Sequence, residues 1–453
     1  MGRQSPAPAR ARTRRTRPAR SVVTGFGAAV VVGTGLLMLP VSARSGEVTD
    51  FVNALFTATS AVCVTGLTVV DTATHWSLFG QIVIMLLIQI GGLGIMISAG
   101  AIGLVLARKM SVAGRLTAAA EANALGLDDF RGLIRNIVLG SLIIEAITFA
   151  LLFTRFLWGY GYGVGQAAWL GLFHSVSSFN NAGFALFSDN LIGFAADPFI
   201  CLPICAAIIL GGLGFPVLMQ LRREFSHPLR WTMNTRLVLS ASIVLLVVGT
   251  AYITALEWSN PRTLGAYDPA ARILIGFFQS VQTRTAGFNS VDIGRLHDET
   301  WVGMDVLMFI GGGPAGTAGG IKVTTFSVLF FILLTELRGE ASVHIFGKRL
   351  SRAVHRQAIA VVLLSIAVVM GAVIALMLLT GYRFDRVLFE AVSAFGTVGL
   401  TTGITYGLPP AAELILVVLM FVGRIGPLTI GSAFALRDRP ILYEYPKERP
   451  AIG

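Results

Sequence analysis

The sequence predicts an all-α polytopic membrane protein built from four tandem repeats. Three observations support this fold class. Hydrophobic residues make up 54% of the 453 positions and charged residues only 13%, whereas a soluble domain carries about 25% charged residues. Eight apolar runs are close to the roughly 20 residues that cross a bilayer. A short polar motif also recurs four times between these runs.

The apolar runs show where the chain is expected to cross the membrane. The sixth run is too long for one plain helix, and glycines interrupt it near its middle. An even number of spans places both termini on the same side. The runs lie at residues 22–40, 76–106, 133–157, 198–220, 237–257, 301–337, 357–380 and 410–436.

The net charge of +11 is distributed as a topology signal rather than as a nucleic-acid-binding surface. When Lys and Arg are assigned to alternating sides of the spans, one side collects 25 of the 35 basic residues, including both terminal tails. Because cytoplasmic loops carry an excess of Lys and Arg, we expect both termini in the cytoplasm. The basic tail also resembles the start of a signal peptide, but we expect an uncleaved first span that keeps its basic tail.

The recurring motif is a Phe, nine mostly small or polar residues, and a Gly that is followed by a large apolar residue. Its four copies are Phe56–Gly66, Phe173–Gly183, Phe277–Gly287 and Phe389–Gly399, so the glycines are 117, 104 and 112 residues apart. Each repeat is therefore a span, a half-length segment and a second span. The predicted organisation is a basic tail at 1–21, repeats at 22–106, 107–221, 222–338 and 339–436, and a C-terminal tail at 437–453.

A half-length segment of this kind is expected to be a re-entrant loop. About ten residues of helix cannot cross the membrane, and irregular backbone at that depth survives only where it lines water or protein. The carbonyl end of each short helix, with about −0.5 charge, would point inward, and the Gly could adopt a positive φ. Four such loops around one axis would replace the hydration shell of a cation with carbonyl oxygens. The alternative is that these segments are plain turns outside the membrane.

Six motifs in order give the sequence a resemblance to the Trk/Ktr/HKT superfamily of potassium transporters, most closely to the membrane subunit of bacterial Ktr systems. The resemblance covers nearly the whole chain from about residue 22. The motifs are SAVCVTGLTVVDTATHWS (60–77), FNNAGFALFSDN (179–190), QTRTAGFN (282–289), GTAGGIKVTT (316–325), GTVGLTTG (396–403) and GRIGPLT (423–429).

The resemblance implies a K⁺ selectivity filter made by the four motif glycines and the backbone carbonyls of their neighbours. The implied filter residues are Val64, Thr65, Gly66, Asn181, Ala182, Gly183, Thr285, Ala286, Gly287, Thr397, Val398 and Gly399. Each loop has one Gly where a potassium-channel filter has two. We therefore expect fewer positive-φ positions and weaker K⁺/Na⁺ discrimination than in a dedicated channel.

Residues 311–320 read GGGPAGTAGG inside a predicted span. This string matches a dinucleotide-binding fingerprint, but a membrane span lacks the strand and the βαβ unit that the fingerprint requires. In the resembled family, the equivalent stretch is an intramembrane loop that obstructs permeation. Pro314 departs from the small flexible residue usual there, which leaves the hinge position open. The expected gate residues are Gly312, Gly313, Gly316, Thr317, Gly319, Gly320 and Arg424.

Three basic residues, Arg284, Lys322 and Arg424, lie in apolar surroundings. An intramembrane Arg costs a few kcal/mol, so Arg424 is expected to face the interior and bind carbonyls of the glycine stretch. The alternative is an Arg that extends to the cytoplasmic interface. Arg284 is expected to brace its own loop, and Lys322 is interpreted either as a structural cation or as a gate residue.

The resemblance further implies a homodimer with one pore per subunit in a bacterial inner membrane. It also implies a cytoplasmic ring of RCK-type nucleotide-binding regulatory subunits, so that ATP/ADP or NAD(H) would act on that partner. The chain itself has no predicted cofactor, with K⁺ as substrate and Na⁺ as a possible stimulator. No nucleophile or HExxH motif indicates an enzyme. The alternative function is a Trk-like transporter, or a secondary transporter of ammonium or another monovalent cation.

Overall fold

The computed structural model describes residues 17–107, 130–340 and 342–426. The predictions for most of the N-terminal tail, for residues 108–129 and for the C-terminal tail lie outside the described residues. The described part is helical apart from its loops and one two-stranded hairpin, His344–Ile345 with Lys348–Arg349. A five-residue π-helical turn, Arg155–Gly159, extends one of the long helices.

The helices are numbered here in chain order. They are α1 (Arg17–Leu37), α2 (Phe51–Val62), α3 (Leu78–Ala107), α4 (Phe130–Thr154), α5 (Val164–Phe179), α6 (Pro198–Leu213), α7 (Phe215–Glu224), α8 (Met233–Glu257), α9 (Pro269–Gln282), α10 (Asp298–Phe309), α11 (Val323–Leu337), α12 (Arg352–Thr380), α13 (Phe384–Gly396) and α14 (Pro410–Ile425).

Several helices are long and apolar enough to cross a bilayer by length and composition. The ranges that meet this requirement are Leu78–Gly100, Arg131–Gly159, Met233–Glu257 and Arg352–Thr380, and the bent pair α6–α7 is a broken fifth candidate. Their outer faces carry apolar side chains more than half exposed, such as Leu86, Ile143, Val247 and Leu363. Apolar side chains that face outward along such helices indicate contact with lipid. The chain is therefore a multi-pass membrane protein.

The four half-length segments form short helices, as predicted: α2, α5, α9 and α13. Two of them begin at Asp N-caps, where Asp50 accepts from the amide of Val52 and Asp268 from the amide of Ala271. All four end three to five residues before the motif glycine. The last turns of these helices are buried, so their carbonyl ends lie inside the bundle.

The sixth apolar run is broken, as its glycines predicted. It forms α10 and α11, and a non-helical stretch separates the two helices. The ends of this stretch are held together, because the amide of Gly311 donates to Ile321 O at 2.8 Å and that of Val323 to Gly312 O at 2.9 Å. The loop therefore leaves the helix axis and returns to it.

The fourth apolar run differs from the expected continuous span. α6 and α7 meet at an angle of 100°, and Gly214 between them has φ +91°. Two residues later, Pro216 has no amide hydrogen to donate to the carbonyl of Gly212. The chain therefore turns sharply at a point where the backbone ladder is already interrupted.

Candidate functional site

The four loops that follow the short helices share one backbone conformation. In each loop a non-glycine residue with a φ of about +50° to +70° stands two positions before a glycine that also has a positive φ. The pairs are Val64 and Gly66, Asn181 and Gly183, Thr285 and Gly287, and Thr397 and Gly399. We call residues 64–66, 181–183, 285–287 and 397–399 glycine loops 1 to 4. The expectation of one positive-φ position per loop is wrong, since each loop has two.

Hydrogen bonds from the short helices hold the glycine loops in this strained form. In loops 1, 2 and 4 the amide before the glycine donates at 2.8 Å to the carbonyl of a helix serine, which is Ser60, Ser177 or Ser393. In loop 3, which lacks this serine, Gln282 replaces it: its carbonyl accepts from Ala286 N at 3.1 Å, and its side chain accepts from Phe288 N at 3.0 Å. Because left-handed conformations of non-glycine residues persist only where the surroundings enforce them, these bonds are part of the site.

The glycine loops contact one another in a closed cycle. A side chain added at Gly66 would collide with Ala182 O, at Gly183 with Ala286 O, at Gly287 with Val398 O, and at Gly399 with Thr65 O. Loop 1 therefore touches loop 2, loop 2 touches loop 3, loop 3 touches loop 4, and loop 4 returns to loop 1. The four loops thus form a closed ring of backbone contacts that brings their carbonyl groups close together. Carbonyl oxygens arranged in this way can take the place of water around a cation.

A vestibule opens on one side of the ring. This cavity of about 200 Å³ is lined by Gly66, Gly183 and Gly399 and by three carboxylates, Asp71, Asp189 and Asp292. Asp71 accepts from the hydroxyl of Ser188 at 2.6 Å, which links the first and second repeats. Partial burial raises the pKa of Asp71, but hydrogen bonds from Ser188, Thr74 and the loop amides outweigh burial and lower the pKa from its ordinary value. The vestibule therefore keeps this negative charge in mild acid.

On another side of the ring, the intramembrane loop (residues 311–320) packs against the bend at Gly214. The carbonyls of Gly211 and Gly212, which the bend removes from the α6 ladder, accept from the amides of Thr317 at 3.1 Å and Gly313 at 2.8 Å. In return, the amide of Phe215 donates to Ala315 O at 3.2 Å. The bend in the second repeat thus provides the hydrogen bonds that hold the loop of the third repeat.

The glycines of the intramembrane loop allow close backbone contact on several sides. A side chain at Gly312 would meet Gly212 O, at Gly313 Leu213 O, and at Gly319 the hydroxyl of Thr397 in glycine loop 4. Gly316 is close to the carbonyls of Gly211 and Gly212, and Gly320 has φ +61°. The loop therefore lies between the bend and the ring, and no side chain fits at Gly312, Gly313 or Gly319.

Three basic side chains hold the intramembrane loop by its carbonyls; Arg284 and Arg424 are buried and Lys322 is half-buried. Arg424 donates to Thr317 O and, at 3.1 Å, to Gly91 O on α3. Lys322 Nζ donates to Ala318 O at 2.6 Å, and Arg284 donates to Gly311 O at 3.0 Å. None of the three forms an ion pair with any residue in the described ranges. Three positive charges are thus concentrated around one loop.

These contacts bear on two of the expectations for the basic residues. Arg284 does not bond its own loop; its guanidinium donates to Gly311 O at the start of the intramembrane loop instead. Lys322 bonds a carbonyl of the intramembrane loop only four residues before it in the chain, which fits both a structural cation and a gate residue. Pro314 lies at the bend, where a side chain on Gly214 would collide with its carbonyl oxygen.

A second set of glycines was missed from the sequence. Side chains at Gly91, Gly211 and Gly423 would collide with the terminal carbonyls of short helices, at Val62, Phe179 and Phe395. In the third repeat, Gly311 meets the carbonyl of Gly319 instead. Each of these glycines follows its loop glycine by 24 to 28 residues, and an apolar residue precedes it. Aligning the four repeats would therefore have identified these glycines from the sequence. Arg424 occupies the position that Gly92, Gly212 and Gly312 hold in the other repeats.

A ring of four loop backbones inside an apolar helical bundle, with a charged vestibule on one side and a cation-held loop on another, defines a polytopic membrane transport protein. Residues 9–440 match the TrkH family of cation transport proteins. The chain belongs to this family.

Three named relatives align with almost the whole length of this chain. The chain is 40% identical to the Ktr system potassium uptake protein B of Bacillus subtilis (strain 168), over 93% of this chain and 94% of that protein. It is 40% identical to the protein of the same name from Vibrio alginolyticus, over 96% and 94%. The Potassium/sodium uptake protein NtpJ of Enterococcus hirae is 34% identical, over 97% and 98%.

A solved structure has the same fold. The crystal structure of the potassium transporter TrkH from Vibrio parahaemolyticus superposes with a TM-score of 0.74, covering 95% of this chain and 87% of that chain at 18% sequence identity. At this identity the likeness is one of fold.

Proposed function

We propose that this chain is the K⁺-translocating membrane subunit of a Ktr-type uptake system. The observation that carries the proposal is the closed cycle of glycine loops, which is built from irregular backbone inside an apolar bundle. The names and near-complete coverage of two relatives at 40% identity support K⁺ as the ion and Ktr as the system. Transport of an ion, rather than an enzymatic reaction, is the activity of this family.

The pore in this proposal has eight spans in four pseudo-equivalent repeats. α1, α14 and the broken pairs α6–α7 and α10–α11 then count as spans beside α3, α4, α8 and α12. The repeated conformation of the glycine loops and the second set of glycines support this interpretation. The repeats keep the predicted bounds of 22–106, 107–221, 222–338 and 339–436.

The selectivity filter in this proposal is the ring of glycine loops. The carbonyls of the residues at and before each loop glycine would bind K⁺ in place of water. Two positive-φ positions per loop, rather than one, allow successive carbonyls to turn toward the axis. The number of loop glycines is therefore not the number of positive-φ positions, and we expect the ring to prefer K⁺ over Na⁺; whether this preference is weaker than in a dedicated channel stays a prediction.

The gate in this proposal is the intramembrane loop with its three cations. A cation on the permeation path meets the charges of Arg424, Lys322 and Arg284, and the same side chains occupy carbonyls that would otherwise be open to K⁺. Movement of the loop away from the ring requires these bonds and those to the bend at Gly214 to break. Partner-driven movement would then open the pore.

A K⁺/Na⁺ transporter is the second candidate function. The name of the Enterococcus hirae relative includes both ions, and that protein is 34% identical over nearly the whole chain. Na⁺ would then either stimulate K⁺ uptake or be transported with it.

The assembly in this proposal is a homodimer with one pore in each subunit. A ring of RCK-type subunits would bind ATP/ADP or NAD(H) and contact the cytoplasmic face. That face would hold both termini and the basic stretches at 107–136, 221–236 and 338–356. Excess Lys and Arg on this side supports the orientation.

Growth of a K⁺-uptake-deficient bacterium at sub-millimolar K⁺ tests the proposed function. The chain is expressed with and without a Ktr regulatory subunit, and with and without Na⁺. Rescue that requires the regulatory subunit is expected. Rescue that requires Na⁺ but not the regulatory subunit, with ²²Na⁺ uptake equal to ⁸⁶Rb⁺ uptake, would favour the second candidate. Correct membrane insertion without rescue under any of these conditions would contradict both.

Removing one vestibule charge is expected to weaken K⁺ uptake at low ionic strength. Asp189 lines the cavity and is exposed, so Asp189→Asn removes charge with little effect on packing. We expect the KM for K⁺ to rise about twofold to fivefold at low salt, and the effect to shrink as salt screens the vestibule. Asp298→Asn, which removes an exposed carboxylate outside the cavity, is the control. An equal KM increase in both variants would contradict the role of the vestibule.

A further inference from the structure

Glu145 is a buried carboxyl group that the filter and the gate do not explain. It lies on α4 with 6% of its surface exposed. Its two oxygens accept from Gln89 Nε2 on α3, at 3.0 and 3.3 Å, and one of them also accepts from Asn180 Nδ2 at 3.2 Å. The three side chains therefore join helices of the first and second repeats.

The arrangement requires a hydrogen-bond acceptor at position 145. Both carboxyl oxygens face amide N–H groups, and the two amides are themselves paired, with Asn180 Nδ2 donating to Gln89 Oε1 at 2.8 Å. The same Asn180 NH₂ group lies 2.9 Å from Val176 O, so its two hydrogens are shared among three acceptors. A side chain at Gly92 would collide with the Asn180 amide oxygen, so a glycine slot on α3 fixes this amide from the other side. Little rotational freedom remains in the cluster.

Each amide in the cluster is next to a pore element. Asn180 is the C-cap of α5 and directly precedes glycine loop 2. The side chain of the following residue, Asn181, lies 2.9 Å from the Thr317 hydroxyl of the intramembrane loop. Gln89 stands two residues before Gly91, whose carbonyl accepts from Arg424. One carboxyl group therefore binds both the residue that precedes glycine loop 2 and the segment of α3 whose carbonyl binds Arg424.

We propose that Glu145 is a positioning residue for ion transport. It fixes glycine loop 2 through Asn180, and it fixes the Gly91 anchor of Arg424 through Gln89. The inference rests on the proposed filter and gate, and it adds a residue behind the pore that sets how well loop 2 binds the ion. A carboxylate suits this position because it accepts at both oxygens, whereas a glutamine presents an NH₂ group to two others.

The test compares Glu145→Gln with a swap that restores the hydrogen bonds. Glu145→Gln leaves the size of the side chain unchanged, but it places a new NH₂ group against the NH₂ groups of Gln89 and Asn180. We expect the KM for K⁺ to rise about threefold or more and the K⁺ over Na⁺ preference to fall, at an unchanged amount of protein in the membrane. The double variant Gln89→Glu/Glu145→Gln exchanges acceptor and donor and should recover wild-type KM and ion preference.

A matched control separates positioning from simple burial. Glu257 is also buried and accepts four hydrogen bonds, from Asn260, Thr263, Thr300 and the amide of His297. None of these donors belongs to a glycine loop or to the intramembrane loop. Glu257→Gln should therefore reduce the amount of folded protein without changing KM or ion preference.

The outcomes distinguish the inference from the proposed function. If Glu145→Gln lowers only the maximal rate, in proportion to the protein present, or if the double variant is no better than the single one, Glu145 has a packing role and the inference is wrong. Gly399→Ser is measured in the same assay. If that variant also leaves ion preference unchanged, the assignment of the filter fails as well.

Discussion

Gly399→Ser is expected to lower the preference for K⁺ over Na⁺ by about tenfold or more, because the new side chain would enter the ring. Gly399 has φ +96°, and a side chain there would collide with the carbonyl of Thr65 in glycine loop 1. The collision is between Cβ, whose position the backbone sets, and a backbone carbonyl oxygen, so no rotamer change can relieve it. Uptake of ⁸⁶Rb⁺ and ²²Na⁺ by cells or proteoliposomes measures the change.

Gly403→Ser is the control for this prediction. Gly403 also has φ +96°, but nothing lies within 4 Å of the position where its side chain would be. Both substitutions impose the same backbone strain of about 1–2 kcal/mol, and only that at Gly399 changes the ring. We expect Gly403→Ser to keep the ion preference of the wild type. A Gly399→Ser protein that transports with unchanged preference would contradict the assignment of loop 4 to the filter.

Arg424→Ala is expected to raise unregulated K⁺ flux by about tenfold. The substitution removes a positive charge from the side of the ring and also removes the bonds to Thr317 O and Gly91 O. The intramembrane loop then loses its connection to α3, while its bonds to the bend at Gly214 remain. K⁺ efflux from proteoliposomes without regulatory subunits measures this flux.

Arg424→Lys separates the charge from the hydrogen bonds. A lysine keeps the positive charge but lacks the planar fork that reaches two carbonyls. If the bonds hold the loop, this variant should leak at a rate between those of the wild type and Arg424→Ala. Equal flux in all three proteins, at equal amounts in the membrane, would remove Arg424 from the gate.

The sequence predicted the features that depend on local chemistry. The half-length helices follow from a motif that recurs about every 110 residues, and the break in the sixth apolar run follows from its glycines. Arg424 was expected to bind carbonyls near residues 311–320, since a buried guanidinium must find oxygens. Thr317 O is one of its partners.

The features that the sequence did not predict depend on contacts between repeats. Val64, Thr285 and Thr397 have no local preference for a positive φ, and the neighbouring loops and helices impose it; only Asn181 is of a type that adopts the left-handed region readily. The bend at Gly214 could not be predicted from an apolar run. The helix carbonyls that the bend frees bind amides about 100 residues away in the sequence. Arg284 was assigned to its own loop for the same reason, since nothing local indicates how close Gly311 lies.

The cycle of glycine loops within one polypeptide has a consequence for how this protein changes over evolution. In a pore made from four identical chains, one mutation changes the same residue in all four loops. Here each glycine loop has its own codons, so a single substitution changes one of the four loops and leaves the other three unchanged. Intermediate preferences between similar ions are then accessible in small steps. The residues two positions before the loop glycines are already of three types: valine at Val64, asparagine at Asn181, and threonine at Thr285 and Thr397.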